Sequence, residues 1–108
     1  MKIINKTTGS VITRDAFFAN TFWQKTKGLI GEPPSKTLVL RTRFGIHTFG
    51  MRRPIAVVVL DKNNIVRKIK KNLVPNRIFI WNPRFSSVIE TAKNIKIKCC
   101  DKLMFISS

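Results

Sequence analysis

The stretch that decides the fold is IAVVVLDKNNIVRKIK, residues 55–70, because it combines two strand-like runs with a turn between them. Its first six residues are apolar on both faces of an extended chain, which indicates a central strand covered on both sides. DKNN at 61–64 is typical of a turn, and IVRKIK then returns as a basic strand. The stretch therefore predicts a β-hairpin inside a sheet.

The same period-two patterning extends to the rest of the chain. Turn residues in KTTGS separate two short β-type runs near the N-terminus, which predicts a second hairpin. NRIFIWN, between two prolines, is read as a short strand or a loop. Further strands are expected in TLVLRTR at 37–43, SSVIETA at 86–92, NIKIKC at 94–99 and KLMFIS at 102–107.

One short helix is predicted near residues 21–30. Thr21 and Gln24 have the spacing of a capping box, and Gly31 followed by two prolines stops the helix. Many short strands, frequent turns and one helix predict a mainly β fold, a β-sandwich or barrel-like domain. No repeat or linker divides the chain, so residues 1–108 are expected to form a single domain.

The composition is strongly basic, with 21 Lys and Arg against 5 Asp and Glu and a formal net charge of +16. Such a charge favours polyanions as partners, among them nucleic acid, anionic lipid and acidic proteins. The alternative is a compositional bias without function, because net charge bears on association and not on fold. The sequence shows no RNP, KH or helix-turn-helix signature.

Basic residues recur at a spacing of two, so each pair is expected to project from one face of its strand. If those strands are neighbours, their faces merge into one basic sheet surface. Phe44, Phe79, Trp81 and Phe85 are interleaved with the charges, a combination that holds single-stranded nucleic acid. The alternative is a solvated, lysine-rich exterior with the aromatic residues inside, and the missing nucleic-acid-binding signatures favour it. The polyanion-binding candidates are the pairs Arg41 and Arg43, Lys68 and Lys70, and Lys96 and Lys98, together with Arg52 and Arg53; Lys71, Arg77 and Arg84 could enlarge the surface.

The segment FGIHTFGM at 44–51 holds the only histidine and is the best candidate for a concave site. Gly45, His47, Phe49 and Met51 are the pocket candidates, with the last three expected on one face of a strand. Gly45 and Gly50 do not form a phosphate-binding loop and indicate a bulge or a close backbone approach. The structural interpretation of His47, a side chain hydrogen-bonded to backbone near a turn, is favoured over a chemical one.

The remaining catalytic candidates are Thr48, Asp61 and Glu90, each of which also has a structural interpretation. Asp61 is expected to cap the turn by accepting a hydrogen bond from the backbone two residues on. Glu90 is expected to form a structural ion pair, with a lone acid in a pocket as the alternative. Asp101 is assigned to the turn before the last strand. The chain is therefore not expected to be an enzyme, and neither a metal nor a cofactor is predicted.

Two adjacent cysteines, Cys99 and Cys100, do not form a CxxC motif. On a strand they would point to opposite faces, which makes them a poor intramolecular disulfide pair. No secreted-type cysteine framework, signal peptide or transmembrane segment is evident, so a soluble, cytoplasmic protein is expected.

Several of these strings together resemble the domain-of-unknown-function 192 family of small bacterial and archaeal proteins. They are ANTFWQKTKGLIG, FGIHTFGMRRPIAVVVLDKNNIV, VIET and CCDKLMF, over roughly residues 11–106. The matching positions are Ala19, Thr21, Gly28, Leu29, Gly31, His47, Thr48, Phe49, Met51, Pro54, Ile55, Leu60, Asp61, Glu90 and Asp101.

The chain departs from the family pattern at three positions. Ala56 stands where the pattern has Asp, Ile30 where it has Met, and Cys100 where it has Gly. The resemblance implies a compact all-β sandwich-like fold with a short helix, and it implies no activity. If an activity in the family depends on that Asp, this chain is expected to lack it.

Three functions from different classes are compatible with the sequence. The first is a module that binds a polyanion such as nucleic acid through a basic sheet face. The second is a small-ligand or catalytic pocket around residues 45–51. The third is a structural accessory that packs on a protein partner, which a large exposed apolar patch would favour.

Overall fold

The computed structural model describes residues 1–19, 29–30, 36–43 and 45–107, and in these ranges the chain is mainly β. The strands are β1 Lys2–Asn5, β2 Val11–Thr13, β3 Ala16–Ala19, β4 Thr37–Arg41, β5 Ile46–His47, β6 Ile55–Leu60, β7 Val66–Leu73, β8 Ile78–Phe79, β9 Ser87–Thr91 and β10 Leu103–Ile106. The predicted mainly β fold is thus confirmed.

The strands form a five-stranded sheet in the order β3-β4-β9-β6-β7, a three-stranded sheet β10-β1-β2 and a two-stranded ribbon β5-β8. Strands β3 and β4 are parallel, and the other pairs in the large sheet are antiparallel. β6 therefore lies inside the large sheet, between β9 and β7, and all six of its residues are buried.

The large sheet is covered on both sides, as the apolar run of β6 predicts. Its front face carries Val57 and Val59 and packs against Trp81, Leu29 and the inner side of the ribbon. Its back face packs against the three-stranded sheet and the 92–100 segment. The back-face cluster comprises Ala56, Val58, Leu60, Val39 and Ile89, with Ile3, Leu103, Ile95 and Ile97 from the covering elements. Burial of these side chains on two faces is the main favourable contribution to the folding free energy.

Both predicted hairpins are present. β1 pairs antiparallel with β2 across the KTTGS turn, and β6 pairs antiparallel with β7 across residues 61–65. The expected strands at 37–41, 87–91 and 103–106 also form, and NRIFIWN supplies the short strand β8. Leu29 and Ile30 lie in a turn, and the rest of the helix predicted over 21–30 falls outside the described residues, as does Phe44.

The strand predicted from NIKIKC is wrong. Ile95 and Ile97 are buried and Lys96 and Lys98 are exposed, so the alternation of burial is real, but the backbone at 94–98 belongs to no β-ladder. Cys99 and Cys100 lie in a turn that follows. The argument that they point to opposite faces of a strand therefore fails, and their Sγ atoms lie 3.9 Å apart.

Candidate functional site

The segment 45–51 is fixed to the 74–77 turn by Thr48, which is fully buried. Its hydroxyl donates to the Val74 carbonyl oxygen at 2.7 Å and accepts from the Arg77 N–H at 2.9 Å. Its backbone N–H also donates to the Arg77 carbonyl oxygen at 2.8 Å. A hydroxyl with both functions engaged holds two loops together and is not poised as a nucleophile.

His47 is half-buried on β5, where its backbone pairs with Ile78 of β8. Its Nδ1 accepts a 3.3 Å hydrogen bond from the Phe49 N–H, and its ring stacks on Phe49 with centroids 5.4 Å apart. This is the backbone-bonded arrangement near a turn that the structural interpretation of His47 predicts.

Of the three pocket candidates expected on one face, His47 and Phe49 stack on each other and Phe49 is 48% exposed. Met51 lies beyond the turn at Phe49 and Gly50 and packs against the front-face cluster. The expectation of a shared face is therefore wrong for Met51, because the turn interrupts the strand alternation. Gly45 has a φ of +126°, and a Cβ there would come within 2.5 Å of the Phe79 carbonyl oxygen, so the predicted close backbone approach is present.

Asp61 caps the turn between β6 and β7. Its Oδ1 accepts from the Asn63 N–H at 2.8 Å and from the Ile65 N–H at 3.1 Å, and its Oδ2 pairs with the Arg67 Nε at 2.8 Å. Burial alone would raise the pKa of Asp61, but these hydrogen bonds outweigh it and hold the pKa below its ordinary value. The predicted turn role is confirmed.

Asp101 holds the turn before β10, as predicted. Its Oδ2 accepts from the Lys98 N–H at 2.9 Å and from the Asn5 Nδ2 at 2.8 Å, and these bonds lower the pKa of its carboxyl group. Cys100, one residue earlier, has a φ of +75°.

Glu90 is the most deeply buried acid of the described chain, with 3% of its surface exposed. It lies on the front face of the large sheet between Leu38 of β4 and Val57 of β6. The expected ion pair of Glu90 is not present among the described residues. In that part of the chain it is Asp61 that forms an ion pair, with Arg67. Burial raises the pKa of Glu90 to about 7, since an apolar environment penalises the charged form.

The basic candidates do not merge into one surface. β4, with Arg41, and β7, with Lys68 and Lys70, are separated in the sheet by β9 and β6. Arg41 comes two residues after the back-face residue Val39, so it lies on the back face of the sheet. Lys68 and Lys70 pair with front-face residues of β6, so they lie on the front face. Lys96 and Lys98 lie on the segment that covers the back face. The remaining candidates, Arg43, Arg52 and Arg53, are exposed in loops.

One group of basic residues does line a depression next to aromatic surface. A cavity of about 470 Å³ lies between β7 and β8, and Lys70, Arg77 and Phe79 are among the residues that line it. Lys68 borders it, with its Nζ 4.9 Å from the centre of the Phe79 ring and 3.0 Å from the Ile80 carbonyl oxygen. We call these four residues the basic groove.

Of the described aromatic residues interleaved with the charges, Phe79 is the one that lines the groove. Trp81 is buried, and its Nε1 donates to the Phe85 carbonyl oxygen at 2.6 Å. Phe85 packs on the front-face cluster. Lys71 is exposed on the far side of β7 and lines a separate cavity with Ala56 and Lys93. Ala56 is the residue that stands where the pattern of the resembled family has Asp.

These features define the class as a small, mainly β domain with a basic groove beside an edge strand. Within the described residues, no group of three or more His, Cys, Asp or Glu is placed to hold a metal ion. The same ranges contain no helix long and apolar enough to cross a membrane.

Comparison with solved structures shows that the fold is a known one. The chain is similar to a protein of unknown function from Novosphingobium aromaticivorans DSM 12444, with a TM-score of 0.76 and 17% identity over 96% of this chain and 84% of that chain. It is also similar to a protein from Sinorhizobium meliloti 1021 proposed to be a transcription regulator, with a TM-score of 0.71 and 17% identity over 95% and 89% of the two chains. No protein-family model and no curated protein sequence matches the chain.

Proposed function

We propose that the protein binds a polyanion, and specifically single-stranded nucleic acid, through the basic groove. The observation that carries this proposal is the placement of Lys68, Lys70 and Arg77 around Phe79 at a cavity of about 470 Å³. Cationic side chains contact phosphates, and the Phe79 ring would stack on a base when the Lys68 ammonium over it turns to a phosphate, so the groove supplies both elements of sequence-tolerant binding.

The distribution of acids supports the same function. Of the four acidic residues that the structure describes, Asp61, Glu90 and Asp101 are buried, and only Asp15 is exposed. The positive surface potential is therefore little reduced by neighbouring carboxylates, which favours association with polyanions. The structural relative proposed to be a transcription regulator is compatible with a nucleic-acid partner.

The family and the cellular location belong to this proposal as well. Membership of the domain-of-unknown-function 192 family is supported at Cys100, where the family pattern has glycine and the backbone has a φ of +75°. A cytoplasmic location is compatible with two unpaired cysteines outside any disulfide framework.

The test is binding of a fluorescent, mixed-sequence single-stranded oligonucleotide, measured by anisotropy over a series of salt concentrations. We expect binding at low salt that weakens steeply as salt rises, since bound phosphates release counterions. Absence of binding at low salt would overturn the function.

A pair of matched variants locates the site. K70Q/R77Q and K96Q/K98Q remove the same charge, but only the first pair lies in the groove. Loss of two phosphate contacts should reduce the slope of log affinity against log salt by about 1.4 for the groove variant. Equal effects of the two variants would show that the net charge, and not the groove, is responsible.

A structural accessory function is the second candidate, and exposed apolar residues beside the groove favour it. Ile78 is 67% exposed and Ile80 is 63% exposed. I80S, which leaves every charge in place and lies outside the lining of the cavity, should have little effect on oligonucleotide binding. Abolished oligonucleotide binding in this folded variant would contradict the assignment of affinity to the basic groove.

A further inference from the structure

The adjacent thiols Cys99 and Cys100 form a pair that the proposed function does not use. Both are exposed, both lie in the turn before β10, and their Sγ atoms are 3.9 Å apart. We propose that they constitute a redox modification site, a vicinal dithiol that a low-molecular-weight disulfide oxidises reversibly to an internal disulfide.

The turn supplies the geometry that a strand would deny. The Cys100 N–H donates to the Val66 carbonyl oxygen at 2.9 Å, and the Asp101 N–H donates to the Lys98 carbonyl oxygen at 3.1 Å. These bonds hold the backbone while the two side chains remain at the surface. Closing a disulfide to about 2.05 Å then requires the two exposed sulfur atoms to approach by roughly 2 Å, through adjustment of the side chains and of the turn that carries them.

The oxidation proceeds by two thiol–disulfide exchanges. The thiolate of one cysteine attacks a sulfur of a disulfide such as oxidised glutathione, which forms a mixed disulfide and releases one glutathione thiolate. The thiolate of the second cysteine then attacks the protein sulfur of that mixed disulfide and releases the second glutathione. Two protein thiols are oxidised, one glutathione disulfide is reduced to two thiols, and the two protein protons leave with the glutathione.

Reversibility follows from the covalent geometry. The Cys99–Cys100 peptide bond is trans, so the two Cα atoms lie about 3.8 Å apart. Ordinary disulfides join Cα atoms at least about 4.4 Å apart, so the eight-membered ring is strained and readily reduced. Strained, exposed disulfides are the labile and regulatory ones.

The second exchange is expected to be faster than competing reactions. The resolving thiol is already beside the mixed disulfide, which gives the internal step a high effective concentration. A second copy of the chain carries the same net charge of +16, so repulsion disfavours disulfide-linked dimers.

The experiment treats the native, reduced protein with oxidised glutathione, alkylates remaining thiols and measures the intact mass. We expect a monomer about 2 Da lighter than the reduced chain, with both cysteines protected and with full recovery in dithiothreitol. C99S and C100S, which keep the turn but remove one thiol, should instead accumulate the glutathione adduct.

A second measurement isolates the contribution of the fold. The native protein should close the internal disulfide at least tenfold faster than a peptide of residues 98–102. A persistent glutathione adduct on the wild-type chain, or a native rate no higher than that of the peptide, would overturn the proposal.

Discussion

Replacing Glu90 with glutamine should remove a pH dependence of stability that the buried carboxyl group imposes. Glu90 lies between Leu38 and Val57 inside the large sheet, with 3% of its surface exposed. Burial raises its pKa from an ordinary value of 4.5 to about 7. The folded state therefore retains this proton over a range of pH in which the unfolded state has already released it.

The sign and the magnitude follow from linkage. Between pH 4.5 and 7 the native state binds more protons than the unfolded state, so stability is greatest at low pH in this window and falls as pH rises. At about 1.4 kcal/mol per unit of pKa difference, the free energy of unfolding should fall by roughly 3 kcal/mol across the window. The decline should level off above the folded-state pKa of about 7.

The assay is urea denaturation at several pH values between about 5 and 8, with the slope of stability against pH as the readout. Glutamine preserves the shape of the side chain and cannot titrate, so E90Q should lose the decline. A constant offset from an imperfectly bonded amide does not affect that slope. D15N is the matched control, because Asp15 is exposed, and it should keep the wild-type slope.

A wild-type stability that is constant or rises between pH 5 and 8 would refute the reasoning. So would an E90Q variant with an unchanged slope. Asp61 and Asp101 do not confound the window, because their pKa values are lowered and their contributions are lost only at more acidic pH.

Four further substitutions test the local structure by denaturation. T48V should destabilise by about 1–3 kcal/mol, because it leaves the Val74 carbonyl oxygen and the Arg77 N–H without their partner, and T48S should recover most of the loss. D61A should cost about 1–2 kcal/mol, because the turn loses its cap, and the difference from wild type should shrink at acidic pH; a constant difference would contradict the assigned role. G45A should destabilise by more than 1 kcal/mol, because its Cβ meets the Phe79 carbonyl oxygen, and a neutral effect would disprove the close approach. C100G should stabilise by up to about 1 kcal/mol because it relieves a φ of +75°, whereas C99G, one residue earlier, should not.

The central hairpin could be predicted from the sequence because its determinants are local. Six apolar residues in succession indicate burial on both faces, and an acid followed by Lys-Asn-Asn indicates a capped turn. The structure shows β6 buried on both faces and Asp61 bonded to Asn63 and Ile65. The fold class follows from the same short-range patterns.

The merged basic surface that the spacing suggested does not form, because the order of strands in a sheet is a long-range property that local spacing does not specify. Period-two spacing places Lys68 and Lys70 on one face of β7, and it says nothing about which strand lies next to β7. The groove itself forms because the hydrogen bonds between Thr48 and Arg77 hold β8 beside β7. These two residues are almost 30 positions apart in the chain. The signal in the sequence that pointed to the groove was the closeness of Phe79 to Lys68, Lys70 and Arg77 along the chain.

The wrong prediction of a strand at 94–98 has a related cause. Alternation in a sequence reports which side chains are buried, not whether the backbone has a partner. Ile95 and Ile97 pack into the back-face cluster, so the alternation is satisfied by burial while the backbone stays outside the sheets. The same misreading hid the proximity of the two cysteine sulfurs.

The buried acids connect the fold to the proposed function. Asp61 and Asp101 each fix a turn, and Glu90 lies inside the sheet. Most of the acidic side chains that the structure describes are therefore buried and contribute little to the exposed surface. A surface selected only for solubility usually intersperses both signs of charge. In the described part of this chain the exposed charges are almost all positive, which produces a positive surface potential that carboxylates at the surface do little to reduce. That potential would increase the rate of encounter with a polyanion, and the basic groove would then determine where it binds.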